Sequence, residues 1–189
     1  STITTLNNSG TISGSATNDT AVGISLISST IITLNNTGTI LGSIEDFDGV
    51  GLSLSAASSI TTLTNSGTIS GFSSGDDATG ILLSKSSITT LTNTGTISGS
   101  ASGSSGIGLD IGSASIITLI NKGTISGLGS DYGIGLVMGY TSSINTLTNS
   151  GLITGLVEGT NSNGTGIKMQ TSSTITTLNN SGTISGSAT

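Results

Sequence analysis

The sequence predicts an all-β fold: a right-handed parallel β-solenoid with about three short strands per coil of ~28 residues, six to seven coils and an inward asparagine ladder. Three observations carry that reading. Residues 1–17 return unchanged at 173–189, with five looser copies of their core in between. A Leu-x-Asn-x-Gly core recurs at Leu6, Leu34, Leu63, Leu91, Leu119, Leu147 and Leu178, at spacings of 28, 29, 28, 28, 28 and 31 residues. Within each copy the apolar residues alternate with small polar ones, and period two is the signature of a strand. A fixed period of this length means that each unit hides its apolar side only by stacking on its neighbours. The whole of 1–189 therefore reads as one solenoid segment, a fragment of a longer array with a 172-residue higher-order repeat.

Taken in order along a coil, the opening segment carries an isoleucine (Ile31, Ile60, Ile88, Ile116, Ile144, Ile175) and then the core leucine. The two lie three residues apart, which breaks the alternation and predicts a corner. The next stretch places Leu6, Asn8, Gly10, Ile12 and Gly14 on one side, with Asn7, Ser9, Thr11 and Ser13 on the other. The last strand follows at Ile24/Leu26, Leu52/Leu54, Ile81/Leu83, Leu109/Ile111, Leu136/Met138 and Ile167/Met169. With coils about 4.8 Å apart, six of them rise roughly 29 Å. The right hand follows from the preference of parallel crossovers.

The repeated asparagines Asn8, Asn36, Asn65, Asn93, Asn121, Asn149 and Asn180 face inward, where each amide can bond to the one in the next coil. Gly10 and its equivalents, two residues on, are expected to permit the backbone bend there. Two phenylalanines, two tyrosines and no tryptophan leave burial to many small Ile and Leu contributions, so the core should be long and thin. Apolar residues recurring in register, with a mean hydropathy of +0.31, argue against disorder.

Composition also bounds function. Three lysines against nine carboxylates, a net charge of -6, leave no basic patch for nucleic acid. No apolar run is long enough to span a bilayer, and no signal peptide is read at the start. The absence of cysteine is compatible with an exported chain that does not rely on disulfides.

The stretch Leu63-Thr64-Asn65-Ser66-Gly67-Thr68-Ile69-Ser70-Gly71 and its siblings, followed by Gly80-Ile81, resembles the repeats of bacterial autotransporter passenger domains and related surface adhesins. The resemblance covers the whole chain. It implies a right-handed β-helix, secretion to the cell surface, and adhesion or self-association. No C-terminal membrane barrel of that family is read in the sequence.

Carboxylates collect between the second and third strands: Asp19, then Glu45, Asp46 and Asp48, then Asp76 and Asp77. Stacking would bring them together, and calcium, which accepts flexible oxygen cages, is the candidate metal; a solvated acidic rim is the alternative. No other cofactor is expected. Thr11/Ser13, Thr68/Ser70, Thr96/Ser98, Thr124/Ser126 and Thr183/Ser185 should form outward hydroxyl rows, as in ice-binding solenoids, interrupted by Leu41 and Leu152. A carbohydrate-cleaving β-helix could use only Asp46, Asp48, Asp76 and Asp77, and without histidine, cysteine or arginine the chain reads as a non-enzyme. Tyr132, Tyr140, Phe47 and Phe72 fall in or beside loops of different coils and are expected to cover corners. The longest loop, Glu158 to Thr165, is the candidate protruding contact. Asn7, Asn18, Asn35, Asn163 and Asn179 match the N-x-Ser/Thr pattern, as an Asn/Ser/Thr-rich repeat does by chance.

The expected function is structural: an extracellular or bacterial cell-surface filament or stalk, whose partners are further copies of the same repeat, covalent or stacked head to tail. Its variable loops could add surface ligands. The alternatives are an adhesin whose specificity lies in a tip domain outside these residues, and an ice-binding solenoid.

Overall fold

The computed structural model describes residues 1–158 and 163–188, and every strand in it pairs in parallel. Three sheets form, each taking one strand from each coil. Sheet A contains β1 (Thr2–Asn8), β4 (Thr30–Asn36), β7 (Ser59–Asn65), β10 (Ser87–Asn93), β13 (Ser115–Asn121), β16 (Ser143–Asn149) and β19 (Thr174–Asn180). Sheet B contains β2 (Thr11–Ser15), β5 (Thr39–Ile44), β8 (Thr68–Ser73), β11 (Thr96–Ala101), β14 (Thr124–Gly129), β17 (Leu152–Val157) and β20 (Thr183–Ala188). Sheet C contains β3 (Ala21–Ile27), β6 (Gly49–Ser55), β9 (Ala78–Ser84), β12 (Ser105–Gly112), β15 (Tyr132–Met138) and β18 (Asn163–Met169). Among the described residues there is no helix.

Register follows the repeat: Ile88 lies over Ile60 and under Ile116, Leu91 over Leu63 and under Leu119, and Asn93 over Asn65 and under Asn121. Like side chains therefore stack in columns, and the core is a thin shaft of isoleucine and leucine. In the third coil Ile60, Leu63, Ile69, Ile81 and Leu83 are completely buried. Each such side chain contributes about 1.5–3 kcal/mol on burial, which is how a chain with four aromatic residues builds a continuous core.

The corner expected between the isoleucine and the leucine is instead a bend inside an unbroken strand. In β7 both Ile60 and Leu63 are buried and Thr61 is exposed, and pairing runs Ile31↔Ile60, Thr33↔Thr62, passing over the residue between. Every coil bends at the same place, so neighbouring backbones turn together and the ladder survives.

In every coil after the first, the glycine two residues after the asparagine stands where a side chain would be obstructed, as expected, and the obstruction comes from the neighbouring coil. Among the described residues no glycine has positive φ, so these positions are not left-handed turns. A Cβ on Gly38 would instead collide with the Gly10 carbonyl of the preceding coil, and one on Gly67 with that of Gly38. A second close approach joins sheets B and C, where a Cβ on Gly71 would strike the carbonyl oxygens of Gly49 and Thr79. The coil is therefore a wedge, with two sheets in backbone contact at its thin edge and sheet A closing the wide side.

The turn from sheet C to sheet A uses left-handed backbone without glycine. Ser28, Ala57, Lys85, Ser113, Thr141 and Ser172 have φ between 49° and 62°, at one or two residues per coil. Longer turns here satisfy a serine locally: Ser58 Oγ donates to the Ser55 carbonyl and Ser142 Oγ to that of Gly139. In the two-residue turn Lys85–Ser86, Ser86 Oγ is buried without a hydrogen-bond partner.

Candidate functional site

The asparagine ladder is continuous over all seven coils. Nδ2 of Asn8 donates to Oδ1 of Asn36 at 2.8 Å, and the same 2.8 Å bond repeats from Asn36 to Asn65, Asn93, Asn121, Asn149 and Asn180. Each amide from Asn8 to Asn149 also reaches two backbone carbonyls; Asn93 Nδ2 donates to Gly95 O at 3.2 Å and to Thr124 O at 3.0 Å. Asn65, Asn93, Asn121 and Asn149 are completely buried, a placement tolerable for an amide only because its polar atoms are paired. The ladder is directional, since every amide donates toward the C-terminal coil.

Of the acidic residues singled out from the sequence, Asp48, Asp76 and Asp77 come together, with one carboxylate oxygen of each lying within 4.8 Å of the others. They sit where the turns entering β6 and β9 stack. Burial and the neighbouring carboxylates of Asp76 and Asp77 push the Asp48 carboxyl above its ordinary range, against a backbone hydrogen bond from Asp77 that pulls it down. Asp77 Oδ1 is held from the next coil by Ser104 Oγ at 2.7 Å and the Ser105 amide at 3.0 Å. Asp19, Glu45 and Asp46 do not join the group. Asp19 Oδ1 accepts from the Thr20 amide at 2.7 Å, and Glu45 and Asp46 line a separate groove of about 520 Å³ with Ala16, Ser43 and Phe72. One oxygen of each carboxylate converges, and the three side chains can contribute part of the roughly six to eight oxygens that calcium takes.

Sequence reasoning missed Asp110. It lies in β12 between Leu109 and Ile111, in register with Leu82 on one side and Val137 on the other. Burial, with a further contribution from the Asp77 carboxylate, raises its pKa to about 6. The signal was present: a single acid occupies a column whose neighbours are apolar, inside a strand otherwise read only for its apolar pair.

The hydroxyl rows of sheet B form in register, Thr68 beside Thr96 and Ser70 beside Ser98, and are broken where Leu41 meets Ser70 and Leu152 meets Thr124. Most of these side chains are only half exposed. Phe47, Phe72, Tyr132 and Tyr140 are exposed, the two tyrosines at opposite ends of β15 in one coil, and Lys168 Nζ lies 5.3 Å above the Tyr132 ring. Of the expected loop Glu158 to Thr165, Asn163–Thr165 belongs to β18, because they pair with Tyr132, Gly133 and Ile134; residues 159–162 lie outside the described residues. No helix is long and apolar enough to cross a membrane among the described residues.

Compared with protein-family models, curated proteins and solved structures, the chain gives no match.

Proposed function

We propose that the chain is a load-carrying segment of an extracellular or bacterial cell-surface filament or stalk, built from repeated units of this kind. Stiffness comes from three parallel backbone ladders, the asparagine ladder and the stacked Ile/Leu columns acting together. The resemblance of its repeats to those of autotransporter passengers and surface adhesins supports an extracellular location for such a rod. The variable turns between sheets B and C, where Asp48, Asp76 and Asp77 gather, supply the lateral surface for adhesive contacts.

One observation supports continuation most directly. The sequence of 1–17 is stacked on one face as β1 against β4, and on the opposite face, in its second copy, as β19 against β16. Thr2 pairs with Thr30 and Thr174 with Ser143; Ile3 pairs with Ile31 and Ile175 with Ile144. A chain that repeated residues 1–172 would continue the same stacking with a 172-residue period. Ice binding has less support, because the hydroxyl rows are interrupted and half buried.

Immunogold labelling of intact producing cells with an antibody against the folded chain, followed by electron microscopy, tests this reading. Gold along thin unbranched surface fibres is the expected result. Label confined to the cell interior would refute it.

A further inference from the structure

On the edge where the chain passes from sheet C to sheet A, neighbouring coils turn by different lengths. Turns 56–58 and 139–142 take three and four residues, whereas turns 85–86 and 113–114, which lie between them, take two. The short turns keep Ser86 and Ala114 close against the shaft, 8% and 6% exposed, and the longer turns flank them. A groove of about 490 Å³ therefore runs along the rod from Ala57 to Thr141, with its floor on two internal coils. Small-molecule sites occupy roughly 300–1,000 Å³.

The groove holds hydrogen-bonding capacity that the rod does not use. Ser86 lines its floor, and Ser86 Oγ has no partner. The serines at the same place in the longer turns close onto their own backbone, Ser58 Oγ on Ser55 O and Ser142 Oγ on Gly139 O, and Ala114 in the next coil offers Ser86 no hydroxyl. Rotation about χ1 redirects the Ser86 hydroxyl, and an unpaired polar group this deeply buried favours any ligand that pairs it. Along one wall Ser87, Ser115 and Ser143 stand in register, one coil or about 4.8 Å apart. Their hydroxyls take no partner among the described residues, whereas Thr30 and Ser59, in the same column beyond the groove, bond each other at 3.1 Å.

Charge narrows the ligand further. The chain has nine carboxylates and three lysines, yet the one charged residue lining this groove is Lys85, and among the described residues no carboxylate pairs with it. Left-handed turns can offer free backbone amides to an anion, but here Ala57 N is bonded to Lys85 O and Lys85 N to Gly112 O, so an inorganic anion would meet a lone ammonium. A ligand that uses the whole groove carries several hydroxyls and one negative charge. We propose that the groove binds an acidic saccharide, a sugar bearing a carboxylate, with Lys85 Nζ holding the carboxylate and the hydroxyls of Ser86, Ser87, Ser115 and Ser143 bonding those of the sugar. The site lies on a different edge from the acidic trio and does not rest on the filament reading.

Amide chemical shifts of the isotope-labelled 189-residue chain, titrated separately with sodium glucuronate, glucose and sodium acetate, test the proposal. Glucuronate should give saturable shifts at residues 85–87 and 113–115. Glucose, which lacks the charge, and acetate, which lacks the hydroxyls, should each bind about tenfold or more weakly. Lys85→Gln should reduce glucuronate to the level of glucose, while Lys122→Gln, at an exposed lysine outside the groove, should bind like wild type. Ser86→Ala should weaken glucuronate severalfold yet leave the urea midpoint no lower than that of wild type, because the hydroxyl it removes has no partner in the rod. No saturable shift in the groove at millimolar glucuronate, an equal response to acetate, or undiminished binding by Lys85→Gln would overturn the proposal. A Ser86→Ala variant that loses stability but keeps its affinity would also overturn the role given to that hydroxyl.

Discussion

Replacing Asp110 by asparagine should stabilise the protein at neutral pH and leave it unchanged in acid. Burial and the Asp77 carboxylate raise the Asp110 pKa from 3.8 to about 6, so the folded state resists ionising this group. The folded protein therefore holds a proton that the unfolded chain gives up between about pH 4 and pH 6, and the stability associated with Asp110 falls across that window as pH rises. Below the unfolded value both states are protonated and the penalty is absent; above about pH 6 it is complete. A shift of roughly two units at about 1.4 kcal/mol each gives an upper bound near 3 kcal/mol. Asparagine has nearly the same shape and cannot ionise. Urea denaturation of wild type and Asp110→Asn at pH 3.5, 5 and 7.5 should show coincident midpoints at the lowest pH and a gap that widens to its full size at the highest. A gap of equal size at all three values would mean that packing, not ionisation, separates the variants, and no gap at pH 7.5 would mean that Asp110 is not held out of solvent.

Asn93→Ala should cost about 3 kcal/mol or more in denaturant unfolding, because it strips ladder partners from Asn65 and Asn121 and removes the side-chain amide from the Gly95 and Thr124 carbonyls, whereas Asn8→Ala on the first coil should cost much less. Equal losses would show that the ladder is not a buried, continuous element. Gly71→Ala should abolish folding of the central coils by circular dichroism, since its Cβ has nowhere to go between sheets B and C, while Gly10→Ala, whose Cβ would meet nothing within 4 Å, should fold normally. Leu91→Ala should lower stability by about 2–5 kcal/mol in the same urea assay; a change below 1 kcal/mol would argue against a packed shaft.

The strands and their order were legible because the periodicity does two jobs at once: alternation fixes which residues face inward, and the spacing of about 28 fixes what they stack upon. The asparagine ladder was legible for the same reason, since an inward polar residue at a fixed phase must find its partner in the next coil. Other features depend on backbone detail that residue types carry weakly. Ile60 and Leu63 are both buried whether the chain turns a corner or bends within a strand, so the pattern alone could not separate the two. The left-handed turns at Lys85 and Ser113 were hidden because such backbone usually attracts glycine, and this chain spends its glycines where backbones of neighbouring strands touch. The acidic trio was half legible. Their shared place between the second and third strands put six carboxylates on one edge, but turn lengths differ between coils, and only Asp48, Asp76 and Asp77 converge.

Distances between spin labels along one outward column test the stacked-coil claim most directly. Residues 32, 61, 89, 117 and 145 share one position in successive coils of sheet A, and the chain has no cysteine to interfere with labelling. Labels at Ile32 and Asn145 are four coils apart and should lie about 19 Å from each other in a narrow distribution, with about 4.8 Å lost for each coil removed from the interval. Distances that do not scale with coil number, or a broad distribution at every pair, would contradict the solenoid.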